Sequence, residues 1–239
     1  MLTQNNFFCY LLFVCCLGCT SKIDQQPFDF DETSVEEAFT LSAPNYHDNK
    51  FYKKPQYFID ERNQEKYPTV QIKNSIWLAE NIRYPLKGSI EVEIENQKDK
   101  EVLYFNHHIE KVCPKGWHVP TDEDWDSLEI FLGLEQNIVE ETGWRGHHSI
   151  ALKAAQYWPV KKERNKFSFN AIPTGFYLQN NGHLGRQHCT GYFAIDLEGN
   201  VWERWIMKNV SGVSKVAVNE NNTTALPCRC VKNKEKTGV

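Results

Sequence analysis

The stretch GYFAIDLEGNVWERW, residues 191–205, decides the reading of this chain. An apolar, aromatic run over residues 191–195 enters a turn of Asp196, Leu197, Glu198, Gly199 and Asn200. A second such run, residues 201–205, leaves it. Two short β-favouring runs around a turn rich in Asp, Gly and Asn predict a β-hairpin. Outward from it, further strands are predicted over residues 57–60, 69–72, 75–78, 102–105, 167–169, 171–173, 214–218 and 226–232. Ile90, Val92 and Ile94 alternate with Glu91, Glu93 and Glu95, so that strand has one buried and one acidic face.

Two helices are predicted mid-chain. Thr121 followed by Asp122, Glu123 and Asp124 supplies an N-cap and an acidic first turn. Trp125, Leu128, Phe131 and Leu132 then form one apolar stripe that Gly133 ends. Residues 150–158 make the second, with Ile150, Ala154 and Trp158 on one face and Pro159 as the stop. Several antiparallel strands with two helices predict an α+β fold.

The chain has 239 residues, 27 Lys and Arg, 31 Asp and Glu, and a net charge of −4. That balance gives no basic face for nucleic acid, and no apolar run has the length of a spanning helix. Residues 1–18 read as a signal peptide whose apolar stretch runs from Phe7 to Leu17. It ends in Leu17-Gly18-Cys19, similar to a bacterial lipobox, which makes Cys19 the expected lipidation site. An acidic, flexible tether is expected over residues 19–56, a folded domain over 57–233 and a loose tail over 234–239. These place the protein on a membrane through its lipid, at the outer membrane or cell surface.

Of eight cysteines, four lie in the body: Cys113, Cys189, Cys228 and Cys230. An even number in an exported chain points to two disulfides. Cys228 and Cys230 are one residue apart, too close to bridge without strain, so two pairings remain open.

Several blocks resemble the Fibrobacter succinogenes major paralogous domain, a family of exported bacterial proteins placed with the C-type lectin-like and formylglycine-generating-enzyme-like folds. Residues 60–81, ending Trp77-Leu-Ala-Glu-Asn81, look like its opening block. Cys113-Pro-Lys-Gly-Trp-His-Val-Pro-Thr-Asp-Glu-Asp-Trp125 is similar to its CPxGWH signature. Weaker matches cover residues 151–153, 169–176 and 229–232, and Gly199-Asn-Val-Trp-Glu203 looks like a string of the formylglycine-generating relatives. The resemblance implies a lectin-like fold with Trp77 and Trp117 as anchors, and a Cys113–Cys230 bridge. It leaves Cys189 and Cys228 as an additional bridge.

Candidate chemistry is thin. Cys228 and Cys230 could form the copper pair of the sulfatase-activating relatives, but structural disulfides account for both. The doublets His107-His108 and His147-His148 do not fit one metal ion, because neighbouring strand residues face opposite ways. Asp196, Glu198, Asn200 and Glu203 offer oxygen ligands for calcium, though a hairpin turn carries such residues for backbone reasons. No cofactor is expected. No nucleophile or phosphate motif occurs. The leading reading is therefore a domain that binds a glycan or an envelope-protein partner. An enzyme on the formylglycine-generating scaffold and a purely structural envelope protein are the alternatives. Tyr177, Asn180, Asn181 and Arg186, in the polar loop after Pro159, are the candidate ligand-binding residues.

Overall fold

The computed structural model describes residues 56–95, 100–158, 165–219 and 221–234. The expected signal peptide, Cys19 and all of the expected tether but Gln56 lie outside the described residues, as does the expected tail beyond Lys234. Within them the chain builds three antiparallel sheets.

The first sheet joins the two ends of the domain. Its order is β1 (Gln56–Ile59), β2 (Lys66–Ile72), β3 (Ser75–Leu78), β14 (Val231–Lys232) and β6 (Trp117–His118). Val231 pairs with Trp77 on one side and His118 on the other. The second sheet runs β4 (Ile90–Val92), β5 (Glu101–Phe105), β13 (Thr224–Leu226), β8 (Phe176–Leu178) and β9 (Gly182–Leu184). The third sheet contains the hairpin read first: β10 (Cys189–Ile195) pairs with β11 (Val201–Met207), then β12 (Val213–Ala217) and β7 (Gly143–Arg145). Ile195 faces Val201 across its turn.

The middle strands of the second sheet, β5 and β13, are buried on both faces. Leu103, Ala225 and partly buried Phe105 and Tyr177 pack into one apolar cluster, with Trp77, Trp125, Phe169 and Tyr192 as its aromatic centre. Ring centroids there lie 5.5 Å (Trp77–Trp125) and 5.7 Å (Trp125–Tyr192) apart, within the range of favourable edge and offset contacts. Val102, Tyr104 and Leu226 point the other way, into a second cluster with Trp117, Cys228 and Cys230. The Ile90, Val92 and Ile94 alternation holds as read, with Glu91, Glu93 and Glu95 exposed. Gly175 permits β8 and β9 to close up: its φ is +72°, and a Cβ would meet the Leu184 carbonyl oxygen at 2.2 Å.

The α+β, lectin-like expectation does not hold; the domain is β-rich. Among the described residues one helix exceeds a single turn, α2 (Asp122–Phe131); α1 (Ile109–Val112) is one turn. The start of α2 is as read. Thr121 and Asp124 form a reciprocal capping box, both hydrogen bonds 3.1 Å long. The second predicted helix is absent. Residues 149–151 make a 3₁₀ turn, after which the backbone pairs across the chain instead of along it. Ala154 N–H donates to the Ala171 carbonyl at 2.8 Å, and Ala171 N–H to that of Leu152 at 2.9 Å. Two predicted strands beside it, 167–169 and 171–173, shrink to that single bridge because Asn165, Ser168 and Asn170 adopt left-handed φ of 52–57°. The predicted strand 226–232 is split between two sheets around Pro227, which has no N–H to donate.

One disulfide closes the domain, Cys113–Cys230, as the resemblance implied. The additional Cys189–Cys228 bridge is not formed. Both are buried free thiols, packed as small apolar side chains in the second cluster.

Candidate functional site

The polar residues read as ligand-binding do not converge. Asn180 and Asn181 are exposed in the β8–β9 turn, where Asn181 N–H closes onto Leu178 O at 2.9 Å. Tyr177 is half-buried, its ring edge-on to Phe105 at 6.3 Å, so it belongs to the core packing. Arg186 is exposed beyond the other end of β9, roughly 13 Å of strand from the turn.

The hairpin turn is also self-contained. Asp196 accepts from Asn200 N–H (2.8 Å), Asn200 Nδ2 (2.9 Å) and Trp202 Nε1 (3.0 Å). Trp202 foremost holds that carboxyl below the usual range. Glu203 is buried on the sheet, accepting from Trp205 Nε1 and Asn222 Nδ2, both at 2.8 Å. The four oxygen-bearing residues therefore do not form one ligand set. His147 reaches Ser211 and His148 reaches Glu129, so that doublet diverges. His107 and His108 sit on a 3₁₀ turn, not a strand, with rings 4.1 Å apart.

A group of buried charges lies between α2 and the third sheet. Glu129 accepts from Arg145 Nη2 (2.8 and 2.9 Å), Arg204 Nε (2.9 Å) and His148 Nε2 (3.0 Å). Asp122 accepts from Arg204 Nη2 and Lys215 Nζ, both at 2.6 Å. Asp122, Asp126 and Glu140 bring their oxygens within 4.8 Å of one another, and the Lys215 ammonium already approaches all three. The charges neutralise one another, and the group acts as a clamp of α2 on the sheet.

What the fold does assemble is a polar cavity of about 380 Å³. Its walls come from the segment after β3 (Glu80, Asn81, Arg83), the start of β5 (Glu101), residues 154–157, and Asn165, Asn170 and Ile172. Its floor is fixed from behind. Glu101, 1 % exposed, accepts from Asn81 Nδ2 at 2.7 Å. Asn81 Oδ1 accepts from Arg229 Nη2 at 2.8 Å. Arg229 also donates to the carbonyls of Leu78 and Phe169, and its guanidinium carbon lies 4.4 Å from the Phe169 ring centre. Asn165 and Asn170 hold each other through Asn170 N–H to Asn165 Oδ1 (2.7 Å), while Asn170 Nδ2 donates to Ala79 O (3.0 Å). Arg83 sits among Glu65 (2.5 Å), Glu80 (3.0 Å) and Glu101 (3.9 Å). Burial works against its charge, but these carboxylates outweigh it and hold the guanidinium more firmly protonated than usual. At the mouth Gln156 is exposed, and Glu80 and Tyr157 are half-buried. The arrangement offers oriented amide donors and acceptors, two carboxylates against one guanidinium, and one aromatic ring.

Asn81, Phe169, Asn170 and Arg229 fall in blocks on which the family resemblance rests. Residues 70–232 match the family described as Fibrobacter succinogenes major domain. The chain belongs to this family. No curated protein and no solved structure gives a match. Within this Fibrobacter succinogenes major domain, the Ala-Glu-Asn81 string and the closing Arg229 are thus joined physically: the first lines the cavity and the second braces it. Read from sequence they look like fold-determining residues only. Glu101, a carboxylate at the head of the otherwise apolar Glu101–Phe105 strand, was the one available signal of a buried polar site.

Proposed function

We propose that this protein is an exported, lipid-anchored envelope protein whose Fibrobacter succinogenes major domain binds a glycan-type ligand in the cavity behind Glu80 and Tyr157. The observation that carries the reading is a floor of buried, mutually hydrogen-bonded polar groups beneath an open polar mouth. Pre-oriented amides and carboxylates bind hydroxyl groups without an ordering cost at the moment of binding, and a half-buried tyrosine gives a sugar ring an apolar face. The excess of carboxylate over guanidinium favours a neutral ligand over an anionic one. A glycan array followed by calorimetry on the strongest neutral oligosaccharide tests this. Glu80→Gln and Gln156→Ala should each weaken binding by about 3- to 10-fold, the weight of one hydrogen bond, with melting temperature nearly unchanged. Gln156 is exposed, and in Glu80→Gln an amide oxygen still accepts from Arg83 while Glu65 and Glu101 stay beside that guanidinium. Affinity indifferent to both substitutions would remove the cavity from the reading, and an array without neutral ligands would remove the glycan.

The anchor rests on residues 7–19 and on the Cys113–Cys230 bridge, which suits an oxidising compartment. No helix among the described residues is long and apolar enough to cross a membrane. Cys19→Ala is expected to move the protein out of the membrane fraction or to leave an uncleaved precursor. Fractionation and intact mass identical to wild type would exclude lipidation at Cys19.

A further inference from the structure

The C-terminal segment carrying Cys228 and Cys230 lies against residues 78–82, with Leu78 N–H donating to Cys230 O at 3.0 Å and Ile82 N–H to Cys228 O at 2.9 Å. Both cysteines meet Cys113. Cys230 is bonded to it, while the Cys228 sulfur stands 4.0 Å from the Cys113 sulfur. All three sulfurs lie within 4.8 Å of one another. Cys113 is itself half-buried. The other free cysteine takes no part, since Cys189 Sγ faces the Gly185 carbonyl at 3.6 Å.

We propose that Cys113, Cys228 and Cys230 form a thiol–disulfide exchange site in which Cys113 changes partner. Cys228 gives its proton to solvent, and the thiolate attacks Cys113 Sγ. The Cys113–Cys228 bond forms as the Cys113–Cys230 bond breaks. The electron pair of the broken bond leaves on Cys230, which takes up a proton. One disulfide and one thiol are present before and after, so no external oxidant or reductant enters. Because Cys228 flanks the bond, its side chain rotates into line with it before attack.

The groups around Cys228 set the pace. Burial pushes its thiol up to about 12, against the opposing pull of Arg229 and Arg62. Arg62 is held beside Cys113 by its bonds to Val112 O (2.9 Å) and Lys111 O (3.3 Å) and by Asp60 (2.7 Å). The phenol of Tyr104, itself raised by burial, stays neutral nearby. At neutral pH the exchange is therefore slow, and below its pKa the attacking thiolate becomes about tenfold more abundant with each unit by which the pH rises.

The test is peptide mapping of the whole chain after acid quench and alkylation. In wild type, the Cys113–Cys228 peptide should accumulate about a hundredfold faster at pH 9 than at pH 7. In Cys230→Ser, oxidative folding should yield Cys113–Cys228 as the bridge, leaving Cys189 as the one alkylatable body cysteine. Recovery of Cys113 as a free thiol in folded Cys230→Ser, or joined to Cys189, would overturn the proposal. Should that variant fail to fold, the wild-type map decides: absence of Cys113–Cys228 at pH 9, or a yield independent of pH, overturns it equally.

Discussion

The Cys113→Ser protein is expected to melt about 10–20 °C below wild type. The bridge spans a sequence separation of 117 residues, and in the chain-entropy account a loop of that length removes about 5 kcal/mol of unfolded-state freedom. For a domain of this size each kcal/mol is worth about 2–4 °C. The location adds to the effect. Cys230 immediately precedes β14, which pairs through Val231 with both Trp77 and His118 and so closes the first sheet. Without the bridge, the segment 228–232 keeps only non-covalent anchors against fraying: the strand pairing, the backbone bonds of Cys228 and Cys230 to residues 78–82, and the hydrogen bonds of Arg229. Cys230→Ser should lose less than Cys113→Ser, because Cys228 is within reach of Cys113, whereas Cys113→Ser leaves only Cys228 and Cys230, one residue apart and too close to bridge without strain. Calorimetry of the two serine variants side by side is the measurement. Equal losses would remove Cys228 from any part in covalent closure, and a loss below about 3 °C for Cys113→Ser would mean that the bridge is incidental to stability.

The extent to which the sequence discloses this molecule varies with the range of the interactions involved. The capping box of Thr121 and Asp124, the alternation of Ile90, Val92 and Ile94, and the hairpin over residues 189–207 are local, and local periodicity reports them faithfully. The segment 150–158 shows where periodicity misleads. Its apolar spacing fits a helix face, but Phe169, Ala171 and Ile172 return beside it, and a backbone bridge to Ala171 replaces the intrahelical bonds. The expected second bridge, Cys189–Cys228, failed for a related reason. Parity counts cysteines but not neighbours, and the second apolar cluster took Cys189 and Cys228 as separate fillers. Least legible was the cavity. Glu80, Glu101, Tyr157 and Asn165 come from four separated stretches, and apart from Glu101, at the head of an apolar strand, each alone reads as an ordinary surface polar residue. Only tertiary packing makes Glu101 a buried floor and Glu80 its half-buried rim.

Two carboxylates one helical turn apart on α2 are expected to behave oppositely when neutralised. Glu129→Ala should cost about 3–5 kcal/mol, since it strands Arg145, Arg204 and His148 inside the protein without their shared acceptor. Asp126→Asn should leave the melting temperature unchanged or raise it at pH 7. Burial and the neighbouring Asp122 charge push the Asp126 carboxyl up to about 6, despite Arg204 and Lys215 nearby. A carboxyl raised in the folded state binds its proton more tightly there than in the unfolded chain. Asp126 therefore favours the fold when protonated, and that contribution drains away as pH rises from its ordinary range, near 3.8, toward about 6. Glu129 and Asp122 run the other way. Burial opposes their charge, but His148 and the flanking arginines for Glu129, and Lys215 and Arg204 for Asp122, hold both below the usual range. Their contribution is present at neutral pH and is lost as pH falls through the carboxylate region. Melting curves from pH 3 to pH 8 separate the two cases. The advantage of Asp126→Asn over wild type should vanish below about pH 4, where wild-type Asp126 is protonated as well. The deficit of Glu129→Ala should narrow over the same interval as wild-type Glu129 takes up its proton. If Asp126→Asn instead destabilised the protein at pH 7 as much as Glu129→Ala, Asp126 would be a full partner in the ion cluster. Arg204, which reaches Asp126 at 3.1 Å and Asp122 at 2.6 Å, would then depend on both carboxylates for its neutralisation rather than on Asp122 and Glu129 alone.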